Sequence, residues 1–436
     1  MRRLWWLVLV LAAGAASPAF FARREDPRLA AWRTQASALR GLAFQAPVRL
    51  EWFGEAEVKD VIREELAGVY TPESARRYRD AYAALGVFPA GLDLLETMLE
   101  LQSQAIAGMY SPRRNTLYVL DSLRDDASGA DAGQSLIVVH ELVHALQHQH
   151  FPESLALLTG LRRQDDVVGA LSSALEGDAT FTMLGVRADV DGADARNEET
   201  AAFVRDSMLG ELEREGGAFA KAPRLLRESL IFPYAHGTPL AARSFARDGS
   251  AGLDASLREP PLSTLRVLFP EDGDPVEFVR LPVAELVARL ARGASCRAGD
   301  DNVAGALTLQ VLFDEYGAAA DGDALLRAWR GDRFAQLDCG ESWELVWLTR
   351  WDSADAAQAF ASAYRTIADG VAANAKLAGP PAVVVRGRSA LVLTPGLLAH
   401  ADWLFDASEI RAYAGFAEWR GDDCFPESPC PIAAPN

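Results

Sequence analysis

The sequence predicts a mostly helical α+β protein, because long helical patterns enclose a few short β-rich runs. Strand-like runs occur at residues 47–52, 106–110 and 117–120. The last two flank the turn-forming segment 111–115, which predicts a β-hairpin. Helical patterns cover residues 26–42, 56–84, 92–104, 135–150, 166–186 and 197–228.

The length of 436 residues favours two domains. A stretch rich in Pro, Asp and Glu between Pro270 and Val279 suggests the boundary. We therefore expect a first domain over residues 26–275 and a smaller C-terminal α+β module over residues 276–436. Within the module, the patterns predict helices at 302–316 and 353–368 and strands at 333–337, 345–350 and within 382–393.

The N-terminus resembles an export signal. Arg2 and Arg3 precede an apolar run from Leu4 to Ala16, and small residues follow. Residues 1–22 are therefore predicted to be a signal peptide, with an uncleaved membrane anchor as the alternative. In either case the chain is expected to be exported: secreted, periplasmic, or attached to the membrane outside the cytoplasm.

The chain contains four cysteines, an even number that suggests two disulfides in an exported protein. Cys424 and Cys430 are close enough for a small loop, which leaves Cys296 to pair with Cys339. Three pairings are formally possible, so this one is a hypothesis.

The formal net charge of −18 argues against nucleic-acid binding, which requires basic surfaces. We therefore expect no nucleic-acid partner.

The strongest chemical signal is an HExxH motif, His140-Glu141-Leu142-Val143-His144, within an apolar helical segment. Spacing of four residues places both imidazoles on one helix face, one turn apart, where both can bind one zinc ion. Glu141 is then placed to take a proton from a zinc-bound water. The alternative is a helix with two core histidines and no metal, but buried imidazoles need polar partners, which a metal would supply.

Catalytic zinc usually has three protein ligands, and the sequence offers three candidates for the third. Glu176 lies on the next predicted helix and could complete a His-His-Glu site, although it could also be an exposed carboxylate. His148 and His150 continue the motif helix, but they lie about 12 and 15 Å along its axis from His140. Because Gln147 occupies the place where a helix-breaking glycine would be needed to bring His150 back, Glu176 is preferred.

His140, Glu141 and His144, with Glu176 on a following helix, resemble the gluzincins, the thermolysin-like zinc peptidases. Residues 40–275 also resemble a group of poorly characterised exported proteins with a gluzincin-like core. The resemblance implies a zincin-like catalytic domain, with an HExxH helix beside a small sheet, that cleaves peptides or proteins.

The resemblance also implies roles for further residues. An edge strand before the motif helix would pair with the substrate, and residues 117–120 are the candidate. Tyr234 or His236 would stabilise the oxyanion, unless their segment is only a structural turn. Thermolysin-like enzymes support a histidine through an Asp four residues after the glutamate, but Thr180 stands there and Asp178 is expected to face elsewhere.

The sequence thus predicts a zinc-dependent hydrolase, with a peptidase preferred and Glu141 as the general base. The alternative is a non-catalytic exported binding protein that retains a zincin-like core.

Overall fold

The computed structural model describes residues 27–124, 131–187, 195–212, 218–273, 275–290, 296–318 and 322–421. These residues form an α+β fold that is mostly helical, as the sequence predicts. Within these ranges, no helix has both the length and the apolar character needed to cross a membrane. The predicted signal or anchor at 1–22 and the proposed Cys424–Cys430 disulfide lie outside them.

The first 275 residues contain twelve of the described helices and a small sheet. The helices are α1 (Pro27–Arg40), α2 (Glu55–Val69), α3 (Pro72–Leu85), α4 (Leu94–Ala105), α5 (Asp131–His150), α6 (Pro152–Gly160), α7 (Asp165–Leu184), α8 (Glu198–Leu212), α9 (Ala218–Lys221), α10 (Arg224–Asp248), α11 (Ser250–Arg258) and α12 (Thr264–Leu268). The strands are β1 (Arg49–Phe53), β2 (Gly108–Ser111) and β3 (Thr116–Leu120).

The predicted hairpin is confirmed: β2 and β3 pair antiparallel, with Gly108 opposite Val119. Asn115 adopts a positive φ of 47° in its turn, a conformation that asparagine tolerates better than most residues. However, β1 pairs in parallel with the other side of β3, and the strand order is β1-β3-β2. The prediction that residues 117–120 form an edge strand is therefore wrong, because β3 has a neighbour on both sides.

The C-terminal part is built on a five-stranded antiparallel sheet with the order β5-β6-β7-β9-β8. A separate pair joins β4 to β10. The strands are β4 (Val276–Arg280), β5 (Arg297–Asn302), β6 (Trp329–Asp338), β7 (Trp343–Trp351), β8 (Ala382–Arg386), β9 (Ser389–Leu393) and β10 (Glu409–Tyr413). The helices are α13 (Val283–Leu290), α14 (Gly305–Tyr316), α15 (Gly322–Ala328), α16 (Ala354–Asn374), α17 (Ala401–Ala407) and α18 (Phe416–Gly421).

A disulfide joins Cys296 to Cys339, which confirms that predicted pairing. Cys296 directly precedes β5, and Cys339 directly follows β6. The disulfide therefore joins the start of β5 to the end of β6, its antiparallel neighbour.

The largest apolar cluster draws residues from both sides of the predicted boundary at residue 276. Tyr82 and Phe88 from the first part pack with Phe334, Trp347 and aromatic neighbours from the second. The rings of Tyr82 and Phe334 meet edge to face at 5.2 Å. The division at 276 stays a prediction, and the two parts bury a common core. A second cluster lies between the small sheet and α5.

Candidate metal centre

The HExxH motif lies in the middle of α5, which the small sheet and α1 cover. Its apolar residues, Leu136 to Val139 and Leu146, are buried in the second cluster. The motif residues are buried with them: His140 is 1 % exposed, and Glu141 and His144 are 0 % exposed. The sequence expectation that this helix is internal is correct.

Glu176 lies on α7, which packs against α5, and its carboxylate reaches both motif histidines. Its Oε2 lies 3.2 Å from Nε2 of His140 and 3.2 Å from Nε2 of His144. The two Nε2 atoms are 3.0 Å apart. These three side chains therefore form a buried group that could bind a metal ion.

The electrostatics of this group follow from burial and from the nearby charges. Burial acts to raise the pKa of Glu176, but the two histidines outweigh it and lower the pKa to about 2. Burial acts to lower the pKa of His144, but Glu176 outweighs it and raises the pKa to about 9. Burial lowers the pKa of His140, and Glu176 offsets only part of this. The Glu176 carboxylate thus favours the protonated form of His144, and metal binding would require the Nε2 proton to leave.

His144 is supported by Gln147, one turn further along α5. Nδ1 of His144 donates to Oε1 of Gln147 at 2.8 Å. The amide nitrogen of Gln147 donates to the backbone oxygen of Leu175 and to Oδ2 of Asp178, both at 2.9 Å. Asp178 in turn accepts from the buried guanidinium of Arg40.

The expectation that Asp178 faces elsewhere is therefore wrong. Asp178 faces α5, but it reaches His144 through Gln147 instead of directly. Sequence reasoning missed Gln147 because it treated that position only as a missing glycine. The available signal was its spacing of three residues from His144, which places both side chains on one helix face.

Glu141 lies beside the hairpin strand β2. A Cβ added to Gly108 would come within 3.2 Å of Cγ of Glu141, so the strand backbone passes close to this side chain. Neither carboxylate oxygen of Glu141 has a close hydrogen-bond partner among the described residues. Burial raises the pKa of Glu141 well above its usual range, and the charge of His144 and the nearby backbone of Tyr110 offset only part of this rise.

Tyr234 and His236 lie inside the long helix α10, so the alternative of a structural turn is not what the structure shows. Pro233 and Pro239 both occur within this helix. The hydroxyl of Thr238 donates to the backbone oxygen of Tyr234, one turn earlier, at 2.7 Å.

Tyr234 is buried, and its ring stacks on His140 with centroids 6.2 Å apart. The helices α7 and α10 cross at two glycines, and this close crossing makes the contact possible. A Cβ added to Gly237 of α10 would lie 2.1 Å from the backbone oxygen of Ser173 of α7. A Cβ added to Gly177 would lie 2.2 Å from the backbone oxygen of Gly237. The two helices therefore approach more closely than residues with side chains allow.

His236 projects about 200° around the helix from Tyr234. Its ring packs on Phe232, with centroids 4.8 Å apart. Burial lowers the pKa of His236 to about 4, and the charge of Arg205 adds to the effect. Among the described residues, no hydrogen bond, ion pair or ring contact joins His236 to the metal-binding group.

The other two histidines of α5 have partners outside the group, as the axial distances predict. Nδ1 of His148 lies 2.9 Å from the hydroxyl of Tyr110. Nε2 of His150 lies 2.7 Å from the backbone oxygen of Ala43.

These features define an α+β protein with a buried candidate metal centre. Comparison with known proteins gives one family match: a Domain of unknown function (DUF8575) matches residues 292–393. A search of curated proteins and a search of solved structures each found no match. The matched segment covers β5 to β9 and contains none of the metal-binding residues.

Proposed function

We propose that this protein is a zinc-dependent hydrolase that cleaves peptide bonds, with Glu141 as the general base. The observation that carries the proposal is the convergence of His140, His144 and Glu176 on one buried point, with Glu141 next to His140 on the same helix.

The donor set fits zinc. A tetrahedral zinc ion with bonds of about 2.0–2.1 Å holds its ligand atoms about 3.3 Å apart. The separations among the three ligand atoms are 3.0–3.2 Å, close to that value. Two imidazoles and one carboxylate are also a set found in catalytic zinc sites, which keep a fourth position for water.

When bound, zinc would polarise the substrate carbonyl and lower the pKa of a water molecule. Glu141 would accept the proton of the attacking water and pass it to the leaving amine. Of the two predicted oxyanion donors, the stacking on His140 favours Tyr234 over His236.

A peptide substrate is favoured by the position of β2. Among the described strands, β2 pairs only with β3, and its backbone passes beside Glu141. An extended peptide that added to its outer edge would run past the general base, once the residues that bury β2 had moved aside. We therefore propose that residues 108–111, and not residues 117–120 as predicted from the sequence, form the edge strand that pairs with the substrate.

We also propose that the protein is exported. The Cys296–Cys339 disulfide is of a kind that persists in oxidising compartments and is rare in the cytosol of mesophiles. A cleaved signal and a membrane anchor at 1–22 both remain compatible with it.

A second candidate is a non-catalytic binding protein with a structural metal. The observation that favours it is burial: none of the four residues is more than 6 % exposed, whereas a hydrolase must admit its substrate. A metal-loaded wild type that cleaves nothing across broad peptide libraries would favour this candidate.

The test of catalysis is Glu141→Gln. We expect this variant to keep its zinc and to lose peptide hydrolysis by roughly 10²–10⁴-fold, because the general base is removed and the ligands are not. Glu153→Gln, which changes an exposed carboxylate on α6, is the matched control and should keep both. Hydrolysis by Glu141→Gln at the wild-type rate would overturn the assignment.

A further inference from the structure

A cavity of about 150 Å³ lies far from the metal centre, between strands β4, β5 and β6 and the loop before α7. One bound water needs about 10–15 Å³, so this space is large enough for a small molecule. Gln164, which lines it, precedes Glu176 by twelve residues along α7, or about 18 Å of helix axis.

Two buried carboxamides line this cavity. Gln164 is 6 % exposed and Gln336 is 2 % exposed. The side-chain oxygen of Gln164 has no hydrogen-bond partner among the described residues. Because a buried polar atom without a partner is unfavourable, this oxygen beside the cavity indicates a missing polar partner.

The charged lining has one cation in excess. Arg163 and Arg333 both form ion pairs with Asp301, and Arg163 also pairs with Asp300. Arg280 pairs with Glu409 outside the cavity.

Arg77 donates a hydrogen bond to the backbone oxygen of Gly299 at 2.7 Å and forms no ion pair with any described residue, although its charge acts on the carboxylate of Asp300. Counted together, the arginines of the lining still exceed their acidic partners by one charge, and this excess favours an anionic ligand.

Part of the lining is apolar. It includes Phe278 on β4, Leu281 just after that strand and Val283 at the start of α13. The lining thus combines an excess of one positive charge, two amide side chains and apolar residues, a composition that suits a small-molecule site.

We propose that this cavity binds a small organic monocarboxylate that carries an amide and an apolar side chain. Arg77 holds its carboxylate, Gln164 and Gln336 bond its amide, and the apolar wall receives its side chain. An amino-acid residue with a free carboxyl end and an acylated nitrogen has these three parts. The site does not depend on the metal centre.

Isothermal titration calorimetry tests this with N-acetyl-L-alanine, N-acetyl-L-valine and N-acetyl-L-leucine, each beside its primary amide. We expect at least one acid to bind the wild type, roughly tenfold or more tighter than its amide, because only the acid can pair with Arg77. Since carboxylates also bind zinc, each titration is repeated after chelation, and binding should persist. Loss of zinc binding would therefore leave this result unchanged.

Arg77→Gln should weaken binding of the acid about tenfold or more. Arg76→Gln, which removes the same charge from the exposed neighbour on α3, should not. Gln336→Leu should weaken binding of the acid as well, so this variant tests the proposal even if Arg77→Gln does not fold. Binding of acid and amide with equal affinity, equal effects of the two arginine changes, binding that vanishes on chelation, or no binding of any probe would each overturn the proposal.

Discussion

His144 is held at both ring nitrogens. Nε2 faces the metal-binding group, and Nδ1 donates to Gln147, which a chain of buried contacts fixes through Asp178 to Arg40. Such partners orient a ligating imidazole and keep its other nitrogen free for the metal. In the proposed zinc site, the amide of Gln147 would orient His144 directly, and the carboxylate of Asp178 would act through that amide.

Gln147→Ala should therefore weaken zinc binding by about 10–100-fold, the usual effect of removing a partner of a ligating histidine. Competition with a chromogenic chelator measures the affinity. Gln149→Ala is the matched control, because Gln149 lies on the same helix and bonds only the backbone of residues 45 and 46. Equal affinity in the two variants would show that Gln147 does not support the site.

His236 gives a pH dependence of stability. Its pKa is about 4 in the folded protein and about 6.5 in the unfolded chain, so between these values the unfolded chain binds more protons. Folding stability should fall as pH drops from 6.5 to 4, by up to about 3 kcal/mol from this group. In His236→Gln, denaturant unfolding at pH 7 and pH 4.5 should show a smaller difference than in the wild type. An unchanged difference would contradict the burial of a neutral ring.

At the scale of the elements, the centre depends on how α7 and α10 cross. Gly177 lies next to the ligand Glu176, and Gly237 lies one turn after Tyr234. Because neither glycine has room for a Cβ, the two backbones touch, and this contact sets the distance between Glu176 on one helix and Tyr234 on the other.

Gly237→Ala should destabilise the protein by about 1–3 kcal/mol, since the added methyl group forces the helices apart. The same shift should weaken zinc binding, because Glu176 moves with α7. Gly160→Ala is the control, as nothing lies within 4 Å of its added Cβ. Thermal unfolding and zinc titration would both be measured, and stability equal to that of the control would refute the close crossing.

At the scale of the whole molecule, local patterns predict the elements better than they predict which distant strands pair, although the distant pairing of Cys296 with Cys339 is confirmed. The spacing of His140 and His144, and the turn between β2 and β3, are properties of short segments, so the sequence predicts them. The neighbour of β3 is β1, which lies three helices earlier in the chain, and no local pattern shows which strand will pair with it. For this reason residues 117–120 were misread as an edge.

Two further features of the site could not be predicted without the three-dimensional structure. The contact of Gln147 with Asp178 joins residues on different helices, and the chain from there to Arg40 spans α1, α5 and α7. From the sequence alone, the segment around Tyr234 and His236 could also be a turn, because proline usually ends a helix. Here both prolines lie within α10, where packing against α7 and α8 stabilises the helix beyond its local preference.

The most direct test of the account is the zinc content of purified protein, measured by elemental analysis on the wild type, Glu176→Ala and Glu199→Ala. Glu199 is an exposed carboxylate on α8 and serves as the control. The account predicts about one zinc ion per chain in the wild type and the control, and little or none in Glu176→Ala. A wild type that holds no zinc even after zinc is added back, or a Glu176→Ala variant that holds as much as the wild type, would contradict it.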